Sequence, residues 1–208
     1  MRRYPTERLG ALSDGVFAIA LTLLVLELKL PPEQEGVSLP SVLLENGHEL
    51  IGWVVSFIIL ARFWAIHHDA IADMEFCSSR TIFMNFFFLG TISLVPFSAH
   101  LVGVYELSEP LVMQLFSGLV ALNALGLGGF VWLAERDNPL TQREVRKWSL
   151  RAVHHLVLVP VIAVVASVIA LWAPGISLAI WGIESIVVII ALSVGMAAPA
   201  PEDADAST

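Results

Sequence analysis

Asp14 and Glu184 are carboxylates set within long apolar runs of the chain. A charged group in such surroundings is expensive unless it is paired, hydrogen-bonded or wetted, so each marks a place where the fold must supply a partner. For Asp14 the candidates are Arg62, Trp64, His67 and His68, near the end of the second apolar run. If the first two runs form an antiparallel helix pair, the start of one lies at the depth of the end of the other. A guanidinium, indole or imidazole donor then meets the acid and fixes how the helices cross. For Glu184 no partner is legible. The adjacent His67 and His68 point about 100° apart on a helix and cannot chelate one ion together. Asp69, Asp73 and Cys77 have helical spacing but fall in a wet connection, so no resident metal is expected. An intramembrane enzyme built on Asp14 and His68 would need a nucleophile and a base together in a water-accessible site. No enzymatic activity and no cofactor are expected.

The element that positions Asp14 begins as Arg8-Leu9-Gly10-Ala11-Leu12-Ser13-Asp14 and runs into a stretch, Gly15 to Leu26, whose only polar side chain is Thr22. At about 1.5 Å per residue, a helix from Leu9 to Leu30 crosses a hydrocarbon core of roughly 30 Å. The run closes on Glu27, Lys29 and Pro31-Pro32 rather than on a small-residue cleavage site, which argues against a removed signal peptide. Ile19, Thr22, Leu23 and Leu26 are spaced i, i+3, i+4 and i+7 and share one face. They would form stacked rings if several copies surrounded an axis. Periodicity alone does not select that face, because the helix is apolar all round and the same stripe suits lipid or core packing.

The rest of the chain is of the same kind. With 57% hydrophobic and 14% charged residues over 208 positions, it is far more apolar than a soluble domain and reads as an all-α integral membrane protein. Six apolar runs, about Leu9–Leu30, His48–His68, Arg80–Tyr105, Glu109–Ala134, Leu150–Trp172 and Gly175–Met196, give six transmembrane helices in one domain over 1–198. An acidic tail over 199–208 reads as disordered. Arg2, Arg3, Arg8, Arg62, Arg80, Arg136, Arg143, Arg146, Lys147 and Arg151 fall on one side and only Lys29 on the other. Both termini are therefore expected on the cytoplasmic side of a cell membrane. Glu27, Glu33, Glu35, Glu45, Glu49, Glu106 and Glu109 then face outward, where they would concentrate cations or simply be solvated. The basic cluster from Arg143 to Arg151 suits anionic membrane lipids. A net charge of −8 with no basic, aromatic-studded patch excludes nucleic acid as a partner. Pro96 and Pro160 should bend the third and fifth helices, Pro174-Gly175 should turn the chain into the sixth, and Ser117, Gly118, Asn123, Gly126, Gly128 and Gly129 should let the fourth pack closely on a neighbour.

Arg8 with Leu12-Ser13-Asp14 resembles the R-x-x-x-F-S-D signature of the transmembrane protein 175 family of potassium channels and its bacterial members, with Leu12 in place of the usual Phe. Phe63-Trp64 and His67-His68, and Leu94-Val95-Pro96-Phe97, resemble the family's later signatures. The resemblance covers the chain as one six-helix unit. It implies a homotetramer in which four first helices line a central pore. Ile19 and Leu23, with Leu26, would constrict it and Thr22 would supply a polar step; potassium ions would be bound only in transit. It also implies that Arg8, Ser13, Asp14, Trp64, His67 and His68 anchor the inner end of the pore helix. No T-V-G-Y-G filter segment occurs, so selectivity would come from a narrow, weakly polar ring and gating from a hydrophobic constriction. The alternative is a secondary transporter, whose ionisable or broken-helix site would lie near the membrane midplane. Glu184 and the Pro96 bend are its support.

Overall fold

The computed structural model of the chain describes residues 3–28, 38, 40–41, 47–105, 109–138 and 153–196. The expected basic cluster Arg143, Arg146, Lys147 and Arg151, the acids Glu33, Glu35, Glu45 and Glu106, and the tail 199–208 lie outside the described residues. The described chain is helical apart from one two-residue antiparallel pairing. In order it runs β1 (Arg3–Tyr4), α1 (Glu7–Leu26), α2 (Gly47–Ala72), β2 (Cys77–Ser78), α3 (Ser79–Ile92), α4 (Val95–Val104), α5 (Pro110–Asp137), a π-helical turn (His154–Leu158) continued by α6 (Val159–Ile169), and α7 (Pro174–Met196).

Five stretches are long and apolar enough to cross a membrane: Glu7–Leu26, Glu49–Ala72, Ser79–Val104, Pro110–Asp137 and Pro174–Ala191. The sixth expected span, Leu150–Trp172, appears as a shorter apolar helix over His154–Ile169, and residues 139–152 before it lie outside the described set. Two other boundaries differ from the sequence expectation. The first helix ends at Leu26 rather than Leu30, because the backbone tightens into i→i−3 bonds from Glu27 N to Leu24 O and from Leu28 N to Val25 O, each 3.2 Å. The second runs four residues past His68, to Ala72.

The third span is broken where proline dictates. Pro96 has no N–H to donate and its ring excludes the carbonyl four residues back, so α3 stops at Ile92 and α4 restarts with Pro96 in its first turn. The central element is α5, in which 56% of the best spanning window is buried, against 28% in α1 and 22% in α7. The glycines of α5 make this close packing work, and the interface lies inside the subunit. A Cβ at Gly126 would come 3.1 Å from the Phe88 backbone, and one at Gly128 would come 2.7 Å from Leu156. Around α5 the core is filled by Phe63, Phe88, Phe116, Phe130, Ile59 and Trp181, all buried. The Trp181 indole N–H donates to Ser117 Oγ at 2.9 Å, which explains how a large ring with a polar edge is tolerated there.

At the end of the bundle where α1 begins, a clasp closes the α2–α3 connection. Asn138 accepts from the Glu75 and Phe76 backbone N–H groups at 3.0 and 3.2 Å and donates back to Phe76 O at 3.1 Å. Asp137 accepts from the Ser78 backbone at 3.0 Å and from the Thr81 hydroxyl, while Ser78 Oγ caps α3 by accepting from Thr81 N. On the other side, β1 pairs with β2 so that Tyr4 opposes Cys77. The start of the first helix is therefore held by its own N-terminal residues as well as by helix packing.

Candidate functional site

Two faces of α1 have opposite surroundings. Leu9, Ser13, Phe17, Ala20 and Leu24 are buried against α2 and the broken α3–α4 span. Ile19, Thr22, Leu23 and Leu26 are exposed, Ile19 by 61% and Leu26 by 65%. Among the described residues of the same subunit, none buries that stripe. Within it, the Thr22 hydroxyl donates to its own helix, toward Ala18 O and Ile19 O, both at 2.9 Å. With its proton turned inward, the oxygen presents lone pairs outward, which is the polarity a cation requires.

The residues expected to anchor this helix separate into two groups. On the buried side, Ser13 Oγ donates to Leu9 O at 2.8 Å and accepts from Asn85 Nδ2 at 3.1 Å, and His67 Nε2 donates to Asn85 Oδ1 at 2.6 Å. This chain of bonds ties α1, α3 and α2 together at one depth. It assigns the proton of His67 to Nε2, because Asn85 Oδ1 can only accept. The imidazole is further wedged by Phe17, Phe88 and Phe130 at ring-centroid distances of 6.0, 5.4 and 4.9 Å. On the outward side, Trp64 Nε1 donates to Asp14 Oδ1 at 2.9 Å, and His68 stacks on Trp64 with centroids 5.1 Å apart. Asp14 thus meets Trp64, while His67 goes to Asn85. Arg8 is exposed on the first turn and the structure does not bring it into either group.

Arg62, expected beside Asp14, instead makes an ion pair with Glu184. The guanidinium is fully buried, lies 4.7 Å from the Phe63 ring centroid, and keeps Nε and one terminal nitrogen unpartnered among the described residues. Glu184 is shared with His154, whose Nε2 lies 3.4 Å from Oε1. That ion pair joins α2 to α7 and supplies the partner the sequence did not reveal. The His154 contact comes from the π-helical turn, which inserts a residue before α6 and rotates both His154 and His155 relative to an unbroken helix. His155 is buried as a result and packs on Phe63.

Sequence reasoning passed over Asn85 as a site residue, although an amide in the apolar third run was the available signal. It also passed over a contact at the far end of α1, where His100 Nδ1 lies 2.7 Å from Glu27 Oε2.

Comparison with known proteins agrees with this architecture. Residues 8–96 match the family model described as "Endosomal/lysosomal potassium channel TMEM175". A potassium channel of Streptomyces collinus is 27% identical over 148 residues, covering 70% of this chain and 72% of the relative. A potassium channel of Chamaesiphon minutus is 36% identical over 102 residues, covering 48% of this chain and 50% of that protein. Among solved structures, a lysosomal potassium-selective channel TMEM175 homolog from Chamaesiphon minutus superposes with a TM-score of 0.79 at 24% identity, over 89% of this chain and 97% of that one, a likeness of fold. The segment matched by this family model contains the first helix, both anchoring groups and the proline break.

Proposed function

We propose that the chain is a potassium channel, that four copies pack their α1 helices around a common axis, and that both termini lie on the cytoplasmic side of a cell membrane. The observation that carries this reading is the stripe Ile19, Thr22, Leu23 and Leu26, left uncovered while the opposite face of the same helix is buried. In a fourfold assembly Ile19 and Leu23 form apolar rings that exclude water when narrow. The Thr22 ring between them offers hydroxyl lone pairs to a partly dehydrated ion. The bonds from Asn85 to Ser13 and from Trp64 to Asp14 hold the inner end of α1 at a fixed rotation, so the same four side chains face the axis. Selectivity in this scheme comes from ring width and the weak field of hydroxyls, which favours the more easily dehydrated potassium over sodium.

The carrier alternative rested on Glu184 as an open titratable group and on the Pro96 bend. With that carboxylate engaged by Arg62 and His154, the group acts as a structural tie between helices. Flux through reconstituted vesicles tests the pore directly. Ile19→Asn should raise potassium flux by hydrating the narrowest ring, and unchanged flux from correctly inserted protein would count against a pore along α1.

A further inference from the structure

At the end of α1 opposite its anchoring groups, Glu27 follows the last helical residue, Leu26, and its Oε2 lies 2.7 Å from Nδ1 of His100 on α4. The two side chains are 29% and 30% exposed, so both reach solvent. Glu27 also lines a small recess with Glu49 and Trp53 of α2, and the Glu49 stem packs toward Gly103, 3.6 Å from a Cβ built there. The titratable groups at this end are therefore Glu27 on α1, His100 on α4 and Glu49 on α2, with Tyr105 and Glu109 next along the chain. Lys29, Glu33, Glu35, Glu45 and Glu106 lie outside the described residues. The last carbonyls of α1 point the same way and add partial negative charge. If α1 lines the pore, four such carboxylates and four helix ends surround one mouth.

We propose that Glu27 and His100 set the cation conductance of the pore and make it sensitive to protons on that face, an inference that rests on the pore reading above. With the imidazole neutral, Nδ1–H donates to Glu27 and the carboxylate keeps its negative charge beside the mouth, concentrating cations there. When Nε2 takes a proton from solvent, a positive charge stands next to each carboxylate and cancels its field. The same proton turns the bond into an ion pair, with both partners charged, that pins the end of α1 to α4. Conductance therefore falls on acidification.

Single-channel recording of the purified protein in a planar bilayer, with each face acidified separately from about pH 8 to about pH 5.5, reads the effect. In about 0.1 M potassium the wild type should lose about two- to threefold of its unitary conductance when one face, and only that face, is acidified. His100→Gln should conduct at alkaline pH within twofold of wild type and lose the acid response. Glu27→Gln should show low conductance at both pH values, and Glu49→Gln should retain the acid response. In about 1 M potassium the wild-type response should shrink, because the screening length falls to about 3 Å. Acid block that persists in His100→Gln, or wild-type current indifferent to pH on both faces, would overturn the role of this pair while leaving the pore standing. Absence of any potassium current would overturn both.

Discussion

Removing the carboxylate of Glu184 should be among the most damaging single changes in this protein. The Arg62 guanidinium is fully buried, and its ion pair with Glu184 is its one charged contact among the described residues, with the Phe63 ring face as the other neighbour. Glu184→Leu leaves that charge with no counterion in an apolar interior, which costs about 3–5 kcal/mol when one partner of a buried pair is removed. That is more than about a hundredfold in the ratio of folded to unfolded protein, since each 1.4 kcal/mol is about tenfold. Arg62→Met should cost less, about 1–3 kcal/mol, because His154 remains 3.4 Å from the Glu184 carboxylate. The double variant Arg62→Met/Glu184→Leu removes both charges and keeps the volume, and should return to within about 1 kcal/mol of wild type. Denaturation by SDS in mixed micelles, followed by circular dichroism, gives all four stabilities and hence the coupling. A double variant as unstable as Glu184→Leu would refute the reasoning, because the loss would then come from packing and not from a stranded charge.

Other consequences follow from particular contacts. Gly128→Ala places a Cβ 2.7 Å from Leu156 and should destabilise by about 1–3 kcal/mol in the same SDS assay, whereas Gly118→Ala, with nothing within 4 Å, should be close to neutral. Asn85→Leu breaks both bonds that link Ser13 to His67 and leaves two buried polar groups unmade; a cost of about 1–3 kcal/mol is expected, and a neutral result would show that the amide is not a tie between helices. Thr22→Val keeps the shape of the side chain and removes its oxygen, so the potassium-to-sodium permeability ratio should fall toward unity; reversal potentials under a potassium/sodium gradient report it.

Much of the fold was legible because it follows from composition and local chemistry. Long apolar runs with few charges declare spanning helices, and Pro96 announces the break between α3 and α4 because a missing N–H has the same effect in any context. The antiparallel arrangement of the first two helices placed Trp64 at the depth of Asp14 together with Arg62, His67 and His68, and packing then selects Trp64 among them. The fate of Arg62 was not legible. Whether it turns to Asp14 or to Glu184 depends on how α7 rotates against α2, a choice made by packing around Val55, Gly182 and Trp181 rather than by spacing along either run. The π-helical turn was equally hidden. One inserted residue decides that His154 reaches Glu184 and that His155 is buried, and hydrophobic periodicity in an all-apolar helix does not register a shift of one position. The end of α1 at Leu26 was missed for a related reason: Leu28 and Leu30 continue the apolar composition after the helical hydrogen bonds have stopped. The glycines of α5 signalled close approach, but only coordinates place it against Phe88 and Leu156 of the same subunit.

The claim that α1 borders the ion path is tested most directly by thiol accessibility under current recording. The only native cysteine, Cys77, is buried, and that burial, with the charge of Asp137 nearby, pushes its thiol pKa up, so wild-type current should be indifferent to a small thiol-reactive cation. Ile19→Cys, Thr22→Cys and Leu23→Cys should each be blocked by that reagent, while Val25→Cys, exposed on a different face of the helix, should not. Block at Val25→Cys with Ile19→Cys and Leu23→Cys unaffected would place the conduction path elsewhere and contradict the account.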